Sequence, residues 1–339
     1  MKHKDITEKK ALCCFSNRVT RIGKTTATIT LLITGVWIIS PGGQGYAQVP
    51  ISFGQRIVSS IDDPAETNEL RFEARAGDVV LLLLGMDTDL DLKIELYDPE
   101  GSLIEEDGTI GPDFIEIVTS PLSITGDYKI MVSGVSKTKT GDYWLYIQRV
   151  NNPGKAKPIG FGETISSSIL EGLGVDAFTF EAQAGDSILV WMGTDSNLDP
   201  RVVIYAPDGS YIDEQVEYDG PAILELQTQL PMTGKYTLLT MDGVDTTIGD
   251  YGAETGPYWI FLQRTNKPAK ASLLDFGKTV SGSILPSYGV DTFTFDALDG
   301  DSIWVRINSK PRPCSLQAPI PCSPGMPALA GKQVHTIFL

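Results

Sequence analysis

The chain repeats itself. Ser52-Phe53-Gly54, Gly160-Phe161-Gly162 and Asp275-Phe276-Gly277 each open a segment. Nineteen residues after each Phe comes a second block: Phe72-Glu-Ala-Arg-Ala-Gly-Asp78, Phe180-Glu-Ala-Gln-Ala-Gly-Asp186 and Phe295-Asp-Ala-Leu-Asp-Gly-Asp301. The second copy follows the first by 108 residues, and the third follows the second by 115. Tyr97-Asp-Pro-Glu-Gly-Ser102 then matches Tyr205-Ala-Pro-Asp-Gly-Ser210, and Thr125-Gly-Asp-Tyr128 matches Thr233-Gly-Lys-Tyr236. Tyr143-Trp144 through Gln148-Arg149 matches Tyr258-Trp259 through Gln263-Arg264, seven residues out of register. An insertion of that size belongs in a hairpin loop, where extra chain costs little. Like sequence at a fixed spacing means like structure, so one unit's fold is the fold of the body.

The unit reads as β. Leu70, Phe72 and Ala74 alternate with Arg71, Glu73 and Arg75, and Phe178 and Phe180 alternate with Thr179 and Glu181. Period-two alternation bounded by Gly-Asp and Pro-x-Gly turns marks half-buried strands. About seven short strands per ~100 residues, with no sustained helical period, predict tandem antiparallel β-sandwiches. The expected modules are 48–152 and 157–267, joined by exposed, moderately stiff linkers at Asn151–Ala156 and Asn266–Ala271. A third module, 273–307, stops after its first strands.

Both ends differ from this body. Lys2, Lys4, Lys9, Lys10, Arg18, Arg21 and Lys24 precede an apolar run from Thr25 to Ser40, then Gly45 and Ala47. That order predicts a secretory signal peptide over 1–47, cleaved after Ala47. The alternative is an uncleaved anchor, but the run is shorter than the ~20 residues a spanning helix needs. Residues 308–339 hold six Pro, three basic residues and no acid, whereas 48–307 carry 17 basic and 41 acidic residues. The expectation is a third unit interrupted by truncation or a frameshift, then a disordered tail. After cleavage the chain should be secreted or at the cell surface, outside the membrane. Its acidity argues against nucleic acid, which needs a basic patch.

The order of motifs resembles the bacterial pre-peptidase C-terminal domain. The second copy carries it best: Asp176-Ala-Phe178-Thr-Phe180, Ala184-Gly-Asp186, Leu198-Asp199, Tyr205-Ala-Pro-Asp-Gly209, Thr233-Gly-Lys-Tyr236 and Gly256-Pro-Tyr258. The first copy has Asn68-Glu69-Leu70 in place of the opening Asp and first aromatic, and the third shows only Asp291-Thr-Phe293-Thr-Phe295 and Gly300-Asp301. The resemblance covers about residues 52–307. It implies a secreted, jelly-roll-like sandwich, usually an accessory to an extracellular peptidase or other hydrolase; related domains of clostridial collagenases bind calcium and collagen.

Two sets of residues are candidate sites. Asp87, Asp89 and Asp91 align with Asp195, Asn197 and Asp199. Alternate oxygen side chains in a turn can converge on Ca²⁺, or simply bond their own backbone. Strand phase places Trp144, Tyr146, Trp259 and Phe261 opposite the core side, with Trp191 and Trp304 on the matching looser face. Such aromatics can stack on sugars or grip a protein, or can pack between units. Nothing points to catalysis: the two His are His3 and His335, and no nucleophile elbow or Cys/His metal spacing occurs. The functional expectation is an exported, non-catalytic repeat protein binding an extracellular protein or polysaccharide. The alternatives are the accessory region of a secreted peptidase and a passive structural spacer.

Overall fold

A computed structural model describes residues 49–86, 90–108, 114–172, 174–218, 220–243, 254–284, 289–298 and 300–307, and the backbone of 333–338. Residues 1–47, read from the sequence as a signal peptide, lie outside the described residues. Every described residue falls in the part of the chain, Tyr46–Leu339, that clusters as one body.

Module 1 has strands β1 (Val49–Pro50), β2 (Gln55–Ile61), β3 (Thr67–Ala74), β4 (Val80–Met86), β5 (Leu92–Tyr97), β6 (Leu103–Gly108), β7 (Phe114–Val118), β8 (Gly126–Gly134) and β9 (Gly141–Arg149). They form a first sheet, β1-β3-β8-β5-β6, and a second, β2-β9-β4-β7. Module 2 repeats this with β10 (Lys157–Pro158), β11 (Glu163–Ile169), β12 (Asp176–Ala182), β13 (Ser187–Gly193), β14 (Pro200–Tyr205), β15 (Tyr211–Val216), β16 (Ile223–Gln229), β17 (Gly234–Asp242) and β18 (Gly256–Arg264). Its sheets are β10-β12-β17-β14-β15 and β11-β18-β13-β16. The tandem antiparallel sandwich read from the sequence is the observed architecture; within modules 1 and 2 the parallel pairings are those of the two-residue β1 with β3 and β10 with β12. The strands that the alternation did not show, β1, β2 and β6, all lie at sheet edges. Edge strands are short or polar because a flat apolar edge invites aggregation.

Each module closes its own core. Leu70, Phe72, Leu82, Leu84, Ile94, Tyr128, Ile130 and Ile147 are buried between the sheets of module 1. Phe178, Phe180, Val190, Val202, Ile204, Tyr236, Leu238 and Leu262 do the same in module 2.

The repeated motifs are framework. Phe53 meets Phe72 edge-on and Phe72 stacks on Tyr128, as Phe161 meets Phe180 and Phe180 stacks on Tyr236. The turn Asp accepts from the backbone N–H three residues earlier in all three copies: Arg75 to Asp78, Gln183 to Asp186, Leu298 to Asp301. The Gln-Arg pair locks the linker. Gln148 donates to Gly154 O at 3.0 Å and accepts from Gly154 N at 2.7 Å. Gln263 does the same to Ala269 at 2.8 and 2.9 Å. Lys155 and Lys270 both take φ of 56°. The two linkers are therefore pinned in one geometry rather than merely stiff.

The third copy contributes β19 (Ser272–Leu273) and β20 (Thr292–Ala297), joined by β21 (Gln333–Phe338) in the order β19-β20-β21. Among its described residues only Phe295 and Ala297 are buried hydrophobics. Strand β21 departs from the expectation that 308–339 is disordered. The segment Gln333-Val-His-Thr-Ile-Phe338 is rich in β-formers, and it pairs along β20, whose ladder groups would otherwise lack partners.

Candidate functional site

Within the described residues the acidic turn of module 2 divides between buried and exposed positions. Asp87 and Asp89 lie outside the described residues. Asp91 is buried, with Lys139 Nζ 2.9 Å from its carboxylate. Asp199 is buried and accepts from Gly220 N at 3.0 Å, while Asp195 and Asn197 are exposed. Among the described residues, no three His, Cys, Asp or Glu side chains are grouped to hold a metal.

Three of the six aromatics are buried, so together they do not form the open platform expected. Tyr146 is 3% exposed and Phe261 1% exposed. Trp144 is buried, with the Arg56 guanidinium 5.6 Å from its ring centre. Trp259 is half-buried against the backbone of Gly193, where an added Cβ would sit 2.3 Å from the indole. Trp191 is half-buried and donates through Nε1 to Glu225 at 2.9 Å. Trp304 is the exposed one, at 63%.

The cover over Tyr146 is module 2. A second kind of core joins Val79, Leu81, Leu83, Tyr146 and Val150 of module 1 to Ala177, Val203, Tyr205, Leu239 and Met241 of module 2. The outer face of one module's second sheet thus packs on the outer face of the next module's first sheet. Strands β4 and β14 are buried on both faces, which is why β4 reads as an unbroken apolar run and β14 as one interrupted by Arg201. Gly209 comes so close to module 1 that a Cβ there would meet Val79 Cγ2 at 2.5 Å.

Charge fixes the register of this contact. Arg201 is buried and reaches Glu116 of module 1 at 3.0 Å and Glu214 of its own module at 2.8 Å. Burial alone would lower the Arg201 pKa, but the two carboxylates outweigh it and raise it. A second pair, Arg56 to Glu171 at 2.8 Å, crosses at the rim. An open groove of about 230 Å³ lies beside Arg201, lined by Phe114, Glu116, Glu214, Val216 and Tyr218.

Arg201, Glu116, Val203, Leu239 and Met241 were not among the residues singled out from the sequence, and Tyr205 was read there only as part of a turn motif. The signal was present in the loss of alternation: Leu92-Lys-Ile-Glu-Leu-Tyr97 becomes Pro200-Arg-Val-Val-Ile-Tyr205.

Module 2 also holds a buried carboxyl whose pKa is raised. Asp242 is buried and accepts from Asp199 N at 2.8 Å and Glu254 N at 2.9 Å. Burial, reinforced by the Glu254 carboxyl, pushes it up to about 8. Both its oxygens are engaged by backbone N–H groups, which suits a structural tie between the strand end and the chain entering β18.

No family model matches the chain. No curated protein is similar to it at a significant level. Among solved structures it is similar to a pre-peptidase C-terminal domain of a Bacillus anthracis collagenase, at 20% identity over 33% of this chain and 98% of that one, with a TM-score of 0.27. It is also similar to PliG of Aeromonas hydrophila, a periplasmic inhibitor of g-type lysozyme, at 21% identity over 32% of this chain and 93% of that one, with a TM-score of 0.25. The exported PBSX protein XepA matches 63% of this chain and 89% of its own at 10% identity, with a TM-score of 0.23.

Proposed function

We propose that this protein is an exported, non-catalytic stack of β-sandwich modules of the pre-peptidase C-terminal type. It works outside the cell as a rigid spacer that holds an attached or associated extracellular component at a fixed orientation. The observation that carries this reading is the contact between modules 1 and 2. It combines an apolar cluster, a buried Arg201–Glu116 pair and a linker clamped by Gln148. A chain meant to flex between modules has no use for such a seal. The aromatics expected to grip a sugar or protein are largely taken up in packing, which favours a spacer over a ligand platform. The signal-like segment supports export, and no helix among the described residues is long and apolar enough to cross a membrane.

Trypsin tests the reading, because the Lys155–Ala156 bond lies in the clamped linker. The folded protein should resist cleavage there, and the Arg201→Glu variant should be cut between the modules. Equal cleavage of both proteins at this linker would overturn the stacked-spacer reading.

A further inference from the structure

The second sheet of module 2 carries the same face that module 1 uses to hold module 2. Leu189 and Trp191 stand where Leu81 and Leu83 stand. Ladder register makes Ile223 the counterpart of Phe114 and Glu225 the counterpart of Glu116, since Gly193 and Trp191 pair with them as Gly85 and Leu83 do. Phe261 and Gln263 take the places of Tyr146 and Gln148.

Only part of this face is seated. Leu189 and Phe261 are buried, and Gln263 reaches Thr292 of β20 at 3.4 Å. Toward β16 the face opens: Ile223 is 66% exposed and Glu225 is exposed. Among the described residues the donors to Glu225 are neutral, Trp191 Nε1 at 2.9 Å and Gln227 Nε2 at 2.6 Å. Its counterpart Glu116 holds a guanidinium.

The third copy's sheet shows which strand would cover this gap. Strand β21 pairs with β20 as β17 pairs with β12: Phe295 opposes His335 as Phe180 opposes Tyr236, and Thr292 opposes Phe338 as Ala177 opposes Leu239. In module 2 the far edge of β17 receives β14, which carries Arg201 over Glu116. Among the described residues the far edge of β21 is the end of its sheet. An open ladder edge beside an apolar, acid-marked face is a template for strand addition.

We propose that this edge, together with Ile223 and Glu225, binds an extended arginine-bearing β-strand of a second polypeptide. The strand adds to β21 as β14 adds to β17. Its arginine pairs with Glu225, and its apolar side chains on that face cover Ile223. The partner is a strand of the β14 type, with a cation near its start and alternate apolar residues after it. This goes beyond the spacer reading and rests only on the geometry of the module contact.

The probe is a fluorescent peptide with the sequence of residues 199–217, titrated into the whole protein and followed by anisotropy. Saturable binding is expected, weakened about tenfold by Glu225→Lys in the protein or by Arg201→Glu in the peptide. Combining the two substitutions should restore it. Circular dichroism verifies that the Glu225→Lys protein, altered at an exposed position, keeps its β signal. No saturable binding to the folded protein, including the case in which the chain's own residues 308–332 already fill the site, overturns the proposal. Binding that ignores both charge reversals overturns it too.

Discussion

The outer faces of the first sheets in modules 1 and 2 are built on the same strands, yet they are chemical opposites. In module 1 the face carries Glu69, Arg71, Lys93, Glu95 and Lys129. Arg71 pairs with Glu69 and Asp127, Lys93 pairs with Glu95 and Glu106, and Lys129 lies over the Tyr97 ring. In module 2 the corresponding positions are Ala177, Thr179, Arg201, Val203 and Thr237, and that face is buried. Lys93 and Arg201 are equivalents with unlike roles: one is a solvated cation, the other a buried key. Terminal repeats of stacked arrays need a polar outer face, and internal ones an apolar face. Module 1 is therefore built as the first of a stack, and module 2 as a follower.

The contrast can be broken where it is strongest. Replacing Arg201 with Glu puts three carboxylates together at the module contact. It should cost about 4 kcal/mol in urea unfolding, within the range for breaking a buried pair. Reversing Lys93, whose two carboxylate partners are at the surface, should cost far less. Leu239→Ala should cost about 3 kcal/mol by opening a cavity between modules, while the equivalent Met131→Ala, half-buried on the polar face, costs far less. Gly101 and Gly209 both have φ of 89°, so alanine is equally strained at each. Only Gly209 faces Val79, whereas nothing lies within 4 Å of a Cβ at Gly101. The Gly209→Ala penalty should exceed that of Gly101→Ala by about 1–2 kcal/mol, the cost of overpacking; matched chemical denaturation of the two variants measures the difference.

The smallest effect at neutral pH is a slope. Asp242 has Gly134 as its module 1 counterpart, so the elevated carboxyl belongs to module 2 alone. Its folded pKa, raised from 3.8 to about 8, means the folded state binds the extra proton between those values. The associated stability is full below about pH 4 and is lost as pH rises to about 8. Asp242→Asn should flatten that decline; an unchanged profile of melting temperature against pH would rule the carboxyl out as its source.

Much of this was legible before any coordinates. The copies, the turn Asp residues and the inward positions Leu70, Phe72, Phe178 and Phe180 follow from local alternation, because a strand's two faces are written every second residue. The phase of Trp144 and Tyr146 was legible for the same reason. Their cover was not. An outward aromatic looks the same in sequence whether it meets water, a ligand or another module, because its partner lies over fifty residues away in Val203 or Leu239. The edge strands β2 and β6 escaped because their own residues are mostly half-buried or exposed and carry no buried alternation. Comparing the copies against each other is what would have revealed the contact: Glu95 to Val203 and Lys129 to Thr237 strip charge from one face of one copy.

The clamped linker has a mechanical meaning. Strand β10 belongs at once to the connection between modules and to the first sheet of module 2, where it runs parallel to β12. Separating the modules along the chain therefore requires breaking the two β10 ladder positions and the two Gln148–Gly154 hydrogen bonds, a smaller set of contacts than either module core holds.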